Sequence, residues 1–134
     1  MDWDNFNNLS ILIVDDDPFT RELIKTMLNK IPNIRIFEAL NGVDALELLN
    51  SINFDIVLLD LYMPYMNGKE FIENLRTKSK FHSLPIVLMT TDRLGVVELS
   101  EIGADYYLPK PFDFQNFLAN IYSYLEEAAL PNKT

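Results

Sequence analysis

The chain of 134 residues has no cysteine, which removes disulfide frameworks, thiol nucleophiles and thiolate metal sites together. With a single histidine, it also offers little to the softer transition metals. Basic residues are scarce: 11 Lys and Arg face 20 Asp and Glu, a net charge of −9. That balance repels phosphate backbones and argues against direct nucleic-acid binding by this segment. Nowhere does an apolar run reach the length of about 18 residues that a membrane span requires. The opening Met1-Asp2-Trp3-Asp4-Asn5 lacks the basic and apolar regions of a signal peptide. Disorder is excluded by a composition 49% hydrophobic and 23% charged. The expectation is one soluble, acidic, cytoplasmic domain, long enough to bury a core without metal or disulfide staples.

What is present alternates between two patterns. Ile11-Leu12-Ile13-Val14, Ile34-Arg35-Ile36-Phe37, Ile56-Val57-Leu58-Leu59, Ile86-Val87-Leu88-Met89 and Tyr106-Tyr107-Leu108 read as strands. The first, third and fourth lack polar alternation, as a strand covered on both faces requires. Helical spacing lies between them: Phe19, Leu23, Ile24, Met27 and Leu28; Val43, Leu46 and Leu49; Phe71, Ile72 and Leu75; and Phe114, Phe117, Leu118, Ile121 and Leu125. Pro18 and Gly42 can open the first two helices, and Pro32 closes the first. Five strands and about five helices in strict alternation predict an α/β fold, a doubly wound parallel sheet joined by right-handed crossovers. Such sheets bind ligands beyond the carboxyl ends of their strands, at the topological switch point.

Those ends carry the polar residues. Strand 1 runs into Asp15-Asp16-Asp17, strand 3 into Asp60, strand 4 into Thr90-Thr91 and strand 5 into Lys110-Pro111. Carboxylates brought together repel one another, and a hard divalent cation such as Mg²⁺, which takes oxygen ligands, resolves the repulsion. Carboxylates, a cation, an ammonium and a hydroxyl at one edge describe phosphoryl chemistry. Asp17-Pro18 reads equally well as a helix N-cap. Any of these residues alone is weak; their joint placement is not.

The motifs resemble those of the receiver domain of two-component response regulators: Ile11-Leu12-Ile13-Val14-Asp15-Asp16-Asp17, Leu58-Leu59-Asp60-Leu61-Tyr62-Met63-Pro64 with Asn67-Gly68, Leu88-Met89-Thr90, and Gly103-Ala104-Asp105 leading to Lys110-Pro111-Phe112. The resemblance covers residues 9–127, leaving 1–8 as an N-terminal extension and 128–134 as a C-terminal tail or the start of a linker. It implies a flavodoxin-like (βα)5 fold with strand order 2-1-3-4-5. It implies Asp60 as phosphoacceptor, with Mg²⁺ held by Asp16, Asp60 and the Tyr62 backbone carbonyl, and by Asp15 through a water. Lys110 would neutralise a phosphoryl oxygen, with a cis peptide before Pro111. Thr90 and Tyr107 would be the switch pair that remodels the face of the fourth helix, fifth strand and fifth helix. The implied partners are a sensor histidine kinase or phosphotransfer protein and a downstream effector domain or protein.

Departures from the family pattern carry their own expectations. Tyr62 and Asp92 stand where the family tunes loss of phosphate, and the bulky Tyr62 is expected to shield the acyl phosphate. A short stretch from Thr90 to Gly103, with Gly95 at its helix start, predicts a short, mobile fourth helix. Tyr106 and Gln115-Asn116, in place of expected charges, count against one familiar mode of receiver pairing. His82 reads as a solvated loop residue, Met63 and Met66 as caps of the core or site rim, and Trp3 with Phe6 as an extra packed turn or a frayed end. Two other readings remain open: a phosphorylation-independent interaction module, and a haloacid-dehalogenase-like phosphatase suggested by Asp15-x-Asp17.

Overall fold

The computed structural model describes residues 1–129. Its strands are β1 (Ser10–Val14), β2 (Arg35–Ala39), β3 (Ile56–Asp60), β4 (Ile86–Thr90) and β5 (Tyr106–Pro109); its helices are α1 (Pro18–Leu28), α2 (Gly42–Ser51), α3 (Gly68–Arg76), α4 (Val96–Ile102) and α5 (Phe117–Ala128). All strand pairs are parallel and the order is β2-β1-β3-β4-β5, as the resemblance implied. Chain order reverses between β1 and β3, so the switch point lies where Val14 and Asp60 end adjacent strands.

β1, β3 and β4 are buried along their whole length, which explains their unbroken apolar runs. Successive side chains point to opposite faces, so Ile11 and Ile13 join Ile24, Leu28, Phe117 and Ile121 in one layer. Leu12 and Val14 join Ala45, Leu49, Phe71, Ile72 and Leu75 in the other. β2, at the edge, is largely exposed or half-buried.

Several residues read as core are not. Phe19 is 84% exposed and Val43 46%; each sits in the first turn of its helix, beyond the strand ends, where there is no layer to pack against. Leu23 is exposed as well. Phe114 is 60% exposed and precedes α5, in a turn tied by Asp113 to the Gln115 N–H and the Asn116 amide. α1 opens on Pro18 as expected but stops at Leu28, short of Pro32. In the N-terminal extension, Trp3–Asn5 forms a single 3₁₀ turn. Trp3 and Phe6 pack edge-on against Tyr122 of α5, with ring centroids 4.9 and 5.5 Å away. Of the expected tail, Ala128 ends α5 and everything from residue 130 lies outside the described residues. Among the described residues no helix is long and apolar enough to cross a membrane.

Candidate functional site

β1 and β3 deliver the acidic residues. Asp15, directly after β1, is fully buried, and Asp60, the last residue of β3, is 7% exposed. Asp16 lies beside them on the open side, and carboxylate oxygens of all three lie within 4.8 Å of one another. Lys110, entering after β5, places its Nζ 3.0 Å from Asp15 Oδ2 and 3.4 Å from Asp60 Oδ1. One ammonium among three carboxylates leaves negative charge uncompensated in a largely desolvated pocket. The donors are all hard oxygens, and that set fits Mg²⁺. Both Asp15 oxygens are already engaged, one by Lys110 and one by the Asp17 N–H at 2.9 Å, which suits an indirect contact with a cation better than a direct one.

Burial pushes the Asp60 carboxyl up to about 6, and the charge of Asp15 adds to the rise, while Lys110 and the Tyr62 N–H pull against it. Burial works against the Lys110 ammonium. Its bond to Asp15 and the charges of Asp15 and Asp60 outweigh that and hold its pKa above the ordinary value. A carboxyl titrating at about 6 is roughly nine-tenths ionised at pH 7, so Asp60 is available as a nucleophilic carboxylate.

Thr90 ends β4 with 1% exposure. Its hydroxyl oxygen accepts from the Asp92 N–H at 3.2 Å, and its carbonyl accepts from the Lys110 N–H at 2.9 Å. The half-buried Tyr107 donates its hydroxyl to the Asp92 carbonyl. Tyr62, 61% exposed, donates its hydroxyl to Asp92 Oδ2 at 2.5 Å, and that bond holds the phenol pKa above its ordinary value. The Lys110–Pro111 peptide is cis. The fold thus gathers Asp15, Asp16, Asp60 and Lys110 in one cluster and links Thr90, Tyr107, Tyr62 and Asp92 beside it.

Asp17 is not part of the cluster. Its carboxylate caps α1, accepting from the Phe19 N–H at 3.0 Å and the Thr20 hydroxyl at 2.8 Å. The Asp15-x-Asp17 phosphatase reading loses its second acid to that cap. His82 is exposed, with its Nε2 2.8 Å from the Arg76 carbonyl at the end of α3, a local bond away from the acidic cluster.

Sequence reasoning missed two supports. Arg21 donates to the Asp15 carbonyl at 2.7 Å and to Glu38 of β2 at 3.0 Å, fixing the turn that presents the acidic pair. Nothing local marks it, because its partners come from the fold. Gly68 is the second: a Cβ there would lie 2.7 Å from the Asp60 carbonyl oxygen and 3.0 Å from the Leu61 Cα. Only glycine lets the start of α3 come this close to the strand end. The Asn67-Gly68 pair was visible in the sequence; its role was not. Asn67 closes the loop with a capping box, its side chain accepting from the Glu70 N–H at 2.9 Å while Glu70 accepts from the Asn67 N–H at 3.1 Å.

Residues 11–122 match the family described as the response regulator receiver domain. The nitrate/nitrite response regulator protein NarL of Escherichia coli (strain K12) is 36% identical over 110 residues, covering 81% of this chain and 51% of NarL. The chemotaxis protein CheY-3 of Vibrio cholerae is 34% identical over 107 residues, covering 78% of this chain and 82% of CheY-3. The chain therefore spans about half the length of one relative and most of the other. Among solved structures, Vibrio cholerae CheY4 superposes with a TM-score of 0.79 at 28% identity, covering 87% of this chain and 98% of that one. The receiver domain of sensor histidine kinase PA1611 from Pseudomonas aeruginosa, with a magnesium ion coordinated in its active-site cleft, shares the fold at a TM-score of 0.79 and 22% identity, covering 89% and 98%.

Proposed function

The chain belongs to the response regulator receiver domain family, and from that premise we propose that it is a phosphorylation switch of a two-component system with Asp60 as phosphoacceptor. The observation that carries the reading is the cluster of Asp15, Asp16, Asp60 and Lys110 at the switch point of the sheet. A carboxylate oxygen of Asp60 attacks the phosphorus of a phosphohistidine, carried by a histidine kinase or phosphotransfer protein, or of a small acyl phosphate. The bond to the departing imidazole or carboxylate breaks, and an aspartyl phosphate remains. Mg²⁺, held by Asp16, Asp60 and the Tyr62 carbonyl, with Asp15 behind a water, would supply positive charge to the phosphoryl oxygens. Lys110 neutralises one of these oxygens from the protein's side. The domain acts on its own phosphate and on no other substrate.

The output is a population shift. Thr90 turns its hydroxyl to the phosphoryl group, Tyr107 moves into the space released, and the face formed by α4, β5 and α5 changes for an effector domain or protein. Moving the balance from mostly off to mostly on needs about 3–5 kcal/mol. Two charge-assisted hydrogen bonds, from Thr90 and Lys110, supply it at about 1.5–3 kcal/mol each. Two-component signalling of this kind takes place in the cytoplasm.

Intact mass after incubation with acetyl phosphate and Mg²⁺ tests the reading. One phosphoryl adduct on the wild type, removed by hydroxylamine and absent from Asp60→Asn, is expected. No adduct would favour a phosphorylation-independent interaction module.

A further inference from the structure

The family match begins at residue 11, so the 3₁₀ turn before β1 lies outside the shared domain. Asp2 caps that turn, its carboxylate accepting from the Asp4 N–H at 3.1 Å. The turn sits on Tyr122 of α5 and engages the whole side chain. Trp3 and Phe6 pack edge-on against the ring. The Tyr122 hydroxyl donates to the Asp2 carbonyl at 3.2 Å and accepts from the Asn5 side-chain amide at 3.3 Å. Phe117, Ile121 and Leu125 mark the core face of α5 at four-residue spacing. Tyr122 stands on the flank beside that face, yet it is only 9% exposed, because the turn covers it. The other flank is held by Tyr124, whose ring stacks on Tyr106 of β5 with centroids 4.2 Å apart.

The ends of α5 contribute little to its hold. It has no side-chain cap at its start and no basic residue in its last turn, where Glu126 and Glu127 stand although the helix dipole favours cations there. Among the described residues, a cavity of about 340 Å³ opens beneath its last turns, walled by Phe6, Leu9, Phe54, Leu84 and Leu125, so packing from below is incomplete. We propose that residues 2–6 are a strap that holds α5 through Tyr122. Releasing the strap loosens α5 and its aromatic contact with β5, a control on the α4-β5-α5 face separate from the acidic cluster. That this face carries the output rests on the phosphorylation-switch reading; the hold of the strap on α5 does not. The strap lies at the end of the sheet opposite the cluster, since β1 begins at Ser10 and runs to Asp15. It is also separable from the sheet. Asn7 and Asn8 are exposed, and Asn8 turns the chain at φ 51°, a conformation asparagine accepts. Leu9 beyond it is buried, so the strap can leave while β1 stays in place.

Variants of the full chain test this without disturbing the core. Trp3 is the single tryptophan, so its fluorescence reads the strap directly. Tyr122→Phe keeps the ring and removes both hydroxyl bonds; it should shift Trp3 emission to the red and open it to acrylamide quenching. Trp3→Ala removes one aromatic contact with α5. Amide exchange from Phe117 to Ala128 should become about fivefold faster, the worth of one aromatic pair, while α2 and α3 stay as in the wild type. With ring-labelled tyrosine, the Tyr106 and Tyr124 resonances should move in Trp3→Ala, and Phe6→Ala should repeat the pattern. In a double-mutant cycle on α5 exchange, Trp3→Ala and Tyr122→Phe should be non-additive. Phosphoryl uptake from acetyl phosphate and Mg²⁺ should match the wild type in Trp3→Ala. Unchanged α5 exchange and unmoved Tyr106 and Tyr124 resonances in both strap variants would overturn the proposal. So would equal acceleration in α2, α3 and α5, which would make the strap a general support. A wild type that takes up no phosphoryl group would overturn the switch reading instead, and the exchange data, collected without phosphate, separate the two failures.

Discussion

Helices α3 and α4 each follow a strand that ends in a residue of the site, Asp60 and Thr90, yet they are held in opposite ways. α3 has nine residues, opens on a capping box and buries Gly68, Phe71, Ile72 and Leu75. At its far end Arg76 donates to the carbonyls of Phe81 and Leu84 and pairs with Asp105 at 2.9 Å. α4 has seven residues, begins at Gly95 without a side-chain cap and buries none of its residues. Leu99 and Ile102 touch the core only from partly buried positions, and Val96 is 87% exposed. The helix beside Asp60 is scaffold, and the helix beside Thr90 is loosely attached. A local charge event at the cluster can move what is loosely held and leave in place what presents Asp60.

The largest expected effect separates the two helices by stability. Phe71→Ala removes a fully buried ring from α3 and should cost about 3–5 kcal/mol in urea unfolding. Val96→Ala in α4 should stay within about 0.5 kcal/mol, as an exposed substitution does. Equal losses would erase the contrast.

The strand end that α3 closes upon should show a charge penalty of its own. The Asp60 carboxyl is raised to about 6 in the fold from an ordinary value of 3.8, so the folded protein binds that proton more tightly than the unfolded chain. Stability contributed by the protonated form is complete below about pH 4 and is lost as pH rises through about 6. In metal-free buffer at pH 8, Asp60→Asn should therefore stabilise the protein by about 1–3 kcal/mol, with the gain vanishing below pH 4. A gain independent of pH, or a loss at pH 8, would contradict this account of the pocket.

The helix starts should give the smallest effects. Asn67→Ala breaks the capping box of α3 and should cost about 1 kcal/mol. Gly95→Ser offers α4 the cap it lacks, and should add only a few tenths of a kcal/mol while slowing amide exchange in that helix. Thermal melts of the two variants, run side by side, check the signs.

Much of this contrast was legible in the sequence, for definite reasons. β1, β3 and β4 are covered on both faces, so Ile11 to Val14, Ile56 to Leu59 and Ile86 to Met89 announced themselves as unbroken apolar runs. In α3, Phe71, Ile72 and Leu75 kept helical spacing because all three face one core layer, and Gly95 marked the weak start of α4. Parallel strands bring their ends to one edge, so Asp15, Asp16, Asp60, Thr90 and Lys110 could be assembled from order alone. Other features depended on distance in the sequence. Arg21 finds the Asp15 carbonyl only through the fold, and Tyr62 meets Asp92 across a separation of 30 residues. Phe19 and Val43 fit a helical stripe, but periodicity does not reveal where a helix extends past the sheet it covers.

Amide exchange, read helix by helix with and without beryllofluoride and Mg²⁺, tests the central claim most directly. In the resting protein, α4 from Val96 to Ile102 should exchange faster than α3 from Gly68 to Arg76. Adding the phosphoryl mimic should alter exchange between Thr91 and Gly103 and around Tyr107, with α3 unchanged. Equal exchange in the two helices at rest, or a response confined to α3, would contradict the account.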